Sequence, residues 1–272
     1  MAPREPLLRH GAAPIVIAHR GASAAAPENT MAAFRRGWAD GAQWSETDVQ
    51  PTRDGARVLI HDDAVDRTTD GRGDVRSHTA TELAALDAGA WFGASFAGVR
   101  IPTLAELLAE MTGERRLLLE IKGEHTEDQV RAIIADIDVA DARGRVVLQS
   151  FEVPALRHVR ALLPDEPVGL LVETIGADPV GDCRRLGAIT YNPSVPDVLA
   201  DPGLVGRLHA AGIAVIPWTA DRPDEWAGLT AAGVDGIFTN RPAELLAWQA
   251  EQARGTGDTT GTGSTTKAPT PQ

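Results

Sequence analysis

The chain has 272 residues, with 26 Lys and Arg against 38 Asp and Glu and a formal net charge of −12. So acidic a protein lacks the broad basic surface that neutralises a nucleic-acid backbone, and polynucleotide substrates are not expected. Cys183 is the only cysteine, which rules out an intramolecular disulfide and a multi-cysteine metal site, and no stretch approaches the ~20 apolar residues of a membrane span.

Residues 1–14 read as an N-terminal extension with no apolar leader core, which together with the lone cysteine predicts a cytoplasmic protein. Ile15 to Ala18 predicts the first strand, running into His19-Arg20. The following helix, Thr30 to Asp40, is introduced by Pro27 and capped by Asn29 or Thr30. Trp44 to Gln50 predicts a strand in which Glu46 and Asp48, two apart, share a face. A further strand, Arg57 to Ile60, ends at His61-Asp62. From Asp63 to Ile101 a long Gly-rich stretch with Trp91, Phe92 and Phe96 predicts an insertion, serving as a lid or as a packing extension.

Beyond it, strands at Leu117 to Ile121, Arg145 to Gln149, Val168 to Leu171, Ala188 to Thr190, Ile213 to Pro217 and Gly236 to Thr239 alternate with predicted helices. Those helices are Thr103 to Met111, Glu127 to Asp141, Val153 to Leu162, Pro179 to Leu186, Asp197 to Ala211, Asp224 to Ala232 and Pro242 to Gln252. Strand and helix in regular alternation predict an α/β fold, a (β/α)8 TIM barrel over 15–253 with a small insertion after the second strand. A doubly wound open sheet is the other arrangement of such a pattern. The barrel is preferred because the polar residues cluster at the C-terminal ends of the first strands, where barrel active sites lie. Residues 254–272, rich in Gly, Thr, Ser and Pro, predict a disordered tail.

Glu120 and Lys122 share a face as Glu46 and Asp48 do, so three carboxylates and an ammonium point into one mouth. Like charges so placed repel, and a divalent cation is the simplest reason to gather them; the bland alternative is a solvated rim of charge. Oxygen-only donors suit Mg²⁺, Ca²⁺ or Mn²⁺ rather than zinc. His19 and His61 are then left for proton transfer, since imidazole titrates near neutral pH. Arg20 offers a planar fork to two phosphate oxygens and Lys122 a point charge, unless either pairs with Glu28 or Asp62 instead. Capping does not explain Glu28, which is expected to orient His19 or Arg20. Trp218 and Phe151, at strand ends, are candidate walls for the alcohol part of a substrate, or else core residues. The set describes a metal-assisted phosphodiesterase.

Several segments then match one family: IAHRGASAAAPENT (Ile17 to Thr30), ETDVQPTRDG (Glu46 to Gly55), IHDDAVDRTTDGRG (Ile60 to Gly73), IPTLAELL (Ile101 to Leu108), LLEIKG (Leu118 to Gly123), QSF (Gln149 to Phe151), PWT (Pro217 to Thr219) and DGIFTNRP (Asp235 to Pro242). From about Ile15 to Ala247 the chain resembles the glycerophosphodiester phosphodiesterases. The resemblance implies hydrolysis of small glycerophosphodiesters, such as glycerophosphocholine or glycerophosphoethanolamine, to an alcohol and sn-glycerol 3-phosphate. It implies His19 and His61 as the acid/base pair, one divalent cation on Glu46, Asp48 and Glu120, and Arg20 and Lys122 on the phosphate. Lysophospholipase D-type activity and a non-catalytic phosphodiester-binding barrel are the alternatives of similar appearance. A zinc barrel hydrolase resembles His-x-His on the first strand, where this chain has His19-Arg20-Gly21. Thr47 and Pro51 depart from the family pattern off the metal-facing side. Asn240 stands where an Asp is common, which removes a negative charge near the mouth and bears on substrate preference.

Overall fold

A computed structural model describes residues 7–9 and 11–257. The first apolar run forms β1 (Ile15–His19), followed by α1 (Met31–Ala39) and β2 (Trp44–Pro51). β3 (Arg57–Leu59) turns back antiparallel on β2 and leads into the insertion, which contains α2 (Ala80–Ala84). Alternation resumes with α3 (Leu104–Glu110), β4 (Arg116–Ile121), α4 (Glu127–Val139), β5 (Val146–Ser150) and α5 (Val153–Leu162). It continues through β6 (Val168–Leu171), α6 (Pro179–Leu186), β7 (Ala188–Asn192), α7 (Val195–Ala200), α8 (Leu204–His209) and β8 (Ala214–Val215). The last unit is α9 (Pro223–Ala232), β9 (Gly236–Thr239) and α10 (Pro242–Gly257).

Parallel pairing runs β8-β7-β6-β5-β4-β2-β1-β9. Across the remaining seam, the Asp235 N–H donates to the Val215 carbonyl at 2.9 Å and the Phe238 N–H to the Pro217 carbonyl at 3.1 Å. Eight parallel strands therefore form a nearly closed (β/α)8 barrel rather than a doubly wound sheet.

Three predicted elements differ, each for a local reason. β8 is shorter than Ile213 to Pro217, because Pro217 has no N–H to give the ladder. The predicted helix Asp197 to Ala211 is two helices, since Asp201 precedes Pro202 and adopts the extended φ −121°, ψ 86° that this position favours. α10 continues through Gly257, so residues 254–257 are helical rather than part of a disordered tail; Glu251, Gln252, Ala253 and Arg254 are all good helix formers. The rest of that tail, 258–272, lies outside the described residues, as do residues 1–6 and 10 of the N-terminal extension. No described helix is long and apolar enough to cross a membrane.

Period-two alternation decides what fills the barrel. Ile17, Trp44, Leu118, Val147 and Phe238 point inward and, with Leu7 of the extension beneath them, make an apolar floor. Each such burial contributes about 1.5–3 kcal/mol. One step along the same rows come His19, Glu46, Glu120, Gln149 and Asn240, so the floor supports a polar layer. Gly169 makes room within that layer, because a Cβ there would lie 2.7 Å from Thr190 Oγ1 and 3.0 Å from Gln149 Cβ. The insertion has a satellite core of its own, built from Val58, Ile60, Val65, Val75, Leu83, Ala88 and Ile101. Trp91, Phe92 and Phe96 stack edge-to-face outside it.

Candidate active site

Strand register brings the carboxylates together. His19 on β1 is paired with Glu46 on β2, and Asp48 on β2 with Glu120 on β4. Glu46, Asp48 and Glu120 are buried, and one ligand oxygen from each lies within 4.8 Å of the others. Burial first, then the charges of Asp48 and Glu120, pushes the Glu46 carboxyl well above its ordinary range. Burial and the Asp48 charge push Glu120 up to about 8. Asp48 is buried too, yet Arg20, His61 and Lys122 overcome that cost and hold it below its ordinary value. A buried all-oxygen cluster of like charges fits a hard divalent cation.

Arg20 and Gly21 follow β1 in the left-handed region, φ 56° and 80°. A Cβ on residue 21 would lie 2.5 Å from the Ala33 carbonyl carbon, so only glycine lets α1 approach this turn. The turn aims the Arg20 N–H at Glu46 Oε2 (3.1 Å), while its guanidinium reaches Glu28 at 2.9 Å and Asp48 at 3.5 Å. Glu28 thus orients Arg20 and not His19. Lys122 Nζ pairs with Glu120 at 3.1 Å and lies 5.5 Å from the Phe151 ring.

His19 is held by Asn240, whose Oδ1 lies 2.8 Å from His19 Nδ1. The amide orientation is fixed by chemistry. Asn240 Nδ2 donates to the Asp221 carboxylate at 2.6 Å, which can only accept, so Oδ1 faces Ser23 and His19. The His19 proton therefore sits on Nδ1, and Nε2 faces the carboxylates, 3.9 Å from Glu46. Burial, then the Arg20 charge, lowers His19 to about 4, so the ring is neutral near pH 7. His61 Nδ1 is anchored on Asp62 at 2.7 Å. Arg67 holds that carboxylate by its Nε at 2.6 Å and grips Glu28 through both terminal nitrogens at 2.8 Å. Hydrogen bonding by Arg67 keeps Asp62 far below the usual carboxylate range.

These groups surround a cavity of about 410 Å³ lined by His19, Arg20, Glu46, His61, Glu120, Lys122, Phe151 and Trp218. Asp48 and Glu28 lie behind its wall. Phe151 and Trp218 meet edge-to-face at 5.3 Å, and the Trp218 indole donates to the Asn192 carbonyl at 2.8 Å. A second cavity, of about 670 Å³, adjoins the first and shares Phe151, Glu152, Leu171 and Glu173 with it. From the insertion, Asp63 reaches the first cavity, whereas Trp91, Phe92 and Phe96 are not among its lining residues.

Sequence reasoning did not assign Arg67, although it lies in the IHDDAVDRTTDGRG segment, because its partners are brought to it only by the fold. Asn240, read as a lost charge bearing on substrate, also contacts His19. Thr30 is the cap of α1. Asn29 donates to Asp48 Oδ2 at 2.8 Å and is itself held by Thr47 at 2.6 Å, so Thr47, though it points away from the carboxylate cluster, supports Asp48 from behind.

Known proteins resemble this chain in sequence and in fold. The sequence profile of the glycerophosphoryl diester phosphodiesterase family matches residues 19–244. A glycerophosphodiester phosphodiesterase of Caldanaerobacter subterraneus subsp. tengcongensis is 38% identical over 239 residues, 85% of this chain and 96% of that protein. A phosphodiesterase of Oleispira antarctica, solved in complex with the product sn-glycerol-3-phosphate, matches with a TM-score of 0.82 at 31% identity, over 88% of this chain and 97% of that one. A glycerophosphodiester phosphodiesterase of Agrobacterium tumefaciens matches with a TM-score of 0.78 at 26% identity, over 86% and 99%. The chain belongs to the glycerophosphoryl diester phosphodiesterase family and is a phosphodiester hydrolase.

Proposed function

We propose that this enzyme hydrolyses small glycerophosphodiesters, with glycerophosphocholine and glycerophosphoethanolamine as representative substrates, to the alcohol and sn-glycerol 3-phosphate in a cation-dependent reaction. The observation that carries the reading is the buried Glu46, Asp48 and Glu120 cluster beside two imidazoles, each anchored through Nδ1. Those carboxylates would hold one Mg²⁺ or Ca²⁺, with Mn²⁺ as a further fit. The cation, when bound, supplies positive charge to the phosphoryl oxygens.

The residues of the chain divide the remaining work. Arg20 and Lys122 neutralise non-bridging phosphoryl oxygens, and Glu28 keeps the Arg20 fork aimed. His19, neutral and with Nε2 free, takes the proton of the neighbouring glycerol hydroxyl as that oxygen attacks phosphorus. As the bond to the head-group oxygen breaks, His61 gives a proton from Nε2 to the leaving alkoxide. The resulting cyclic phosphate is opened by water, with the two imidazoles exchanging roles. Phe151 and Trp218 wall the side on which the adjoining cavity leaves room for the alcohol part. The cytoplasm is the compartment we propose, since a chain whose single thiol, Cys183, is buried suits a reducing compartment.

Replacing His19 or His61 with Ala tests the assignment. Each change should slow release of glycerol 3-phosphate by about 10²–10⁴ with folding intact. A loss below about tenfold in a folded variant removes that residue from the acid/base pair.

A further inference from the structure

The interior row of β2 continues beyond its two carboxylates. Glu46, Asp48 and Gln50 alternate along one face, and Gln50 is fully buried. Its Nε2 lies 3.1 Å from the Ile60 carbonyl, 3.0 Å from that of His61 and 2.8 Å from that of Asp62. The amide has one possible orientation here, because three carbonyl oxygens can only accept and Oε1 in that place would face them with like polarity. Two N–H groups therefore serve three successive carbonyls of the turn that leaves β3. The same turn is fixed a second time by the Ile60 N–H, which donates to the Asp48 carbonyl at 3.1 Å.

We infer that Gln50 is a positioning residue for His61, locking the backbone of the general acid to the strand that carries Glu46 and Asp48. Arg67 and Asp62 orient the His61 ring from the insertion side, and Gln50 sets where that ring begins. A ring on a turn tied to β2 keeps a constant distance from the carboxylate cluster. Untied from Gln50, the turn keeps its backbone bond to Asp48 and the Arg67 grip on the Asp62 side chain, and displacement of a reacting group by about 1 Å costs about 10²-fold in rate. The inference rests on the proposed role of His61.

The test uses two substrates that differ in their need for an acid. Choline leaves glycerophosphocholine as a strongly basic alkoxide and must be protonated. The 4-nitrophenyl ester of glycerol phosphate releases a stabilised phenolate and needs no proton. Because His61 returns as the base that opens the cyclic phosphate, both substrates are read in single turnover at the first step: Gln50→Met should slow choline release by about 10–100-fold and nitrophenolate release by less than about threefold. Gln50→Glu, which keeps the shape and one donor when protonated, is measured beside it and replaces it should the Met variant not fold. His61→Ala provides the reference split between the two substrates. A split in His61→Ala without one in the Gln50 variants overturns the role of Gln50 alone. No split in any variant overturns the acid role of His61, and this inference with it.

Discussion

Removing one carboxylate from the cluster should stabilise the metal-stripped protein at alkaline pH and abolish its stabilisation by metal. Burial and the neighbouring Asp48 charge push Glu120 from an ordinary 4.5 up to about 8. Between those values the folded protein keeps a proton that the unfolded chain has released, so stability without metal falls as pH rises through that window. The gap corresponds to about 5 kcal/mol when the window has been crossed completely. Glu120→Gln escapes this loss but gives up the ion pair with Lys122, which lies 3.1 Å away. The net expectation above the window is a gain of about 2–4 kcal/mol, or roughly 5–10 °C in Tm for a domain of this size.

The assay is thermal and urea unfolding of the chelator-treated wild type and Glu120→Gln from about pH 5 to about pH 9, with and without Mg²⁺ or Ca²⁺. Near the lower end the variant should be no more stable than the wild type, and near the upper end clearly more so. Saturating metal should then raise the wild type by about 2.7 kcal/mol at a hundredfold excess over Kd and leave the variant unmoved. A wild type whose metal-free stability is flat across the window, or a variant that keeps the metal response, would refute the reasoning.

Two other changes address the supports of the imidazoles. Arg67→Ala removes the bonds that hold Glu28 and Asp62, and should lower kcat by about 10–100-fold, read from initial rates. Because Arg67 is 45% exposed, urea unfolding should show a stability loss of no more than about 1 kcal/mol. Asn240→Leu removes the acceptor of the His19 Nδ1 proton, and should lower kcat by about 10–100-fold while KM changes little.

Much of this architecture is legible in the chain because both strands and barrel interiors obey period two. Glu46 with Asp48, and Glu120 with Lys122, declare their shared faces, and the alternation of apolar runs with helical patterns declares the barrel. What the sequence conceals are contacts made across long separations. Arg67 meets Glu28 across 39 positions and Asn240 meets His19 across 221, and no local pattern links either pair. Gln50 is concealed differently, since a buried amide serving backbone carbonyls has no side-chain partner to covary or pair with. The remaining differences are local. Pro202 and Pro217 carry the signals that divide one predicted helix and shorten one strand. In the last helix, Gly255 and Gly257 suggest a tail, whereas the helix formers ahead of them extend α10 through both.

The most direct test of the central claim is release of glycerol 3-phosphate from glycerophosphocholine by the metal-stripped enzyme, titrated with Mg²⁺, Ca²⁺ and Mn²⁺ beside Glu46→Ala. The account predicts release that requires an added cation and is lost in the variant. Full activity without any cation, or an unimpaired Glu46→Ala, would contradict it.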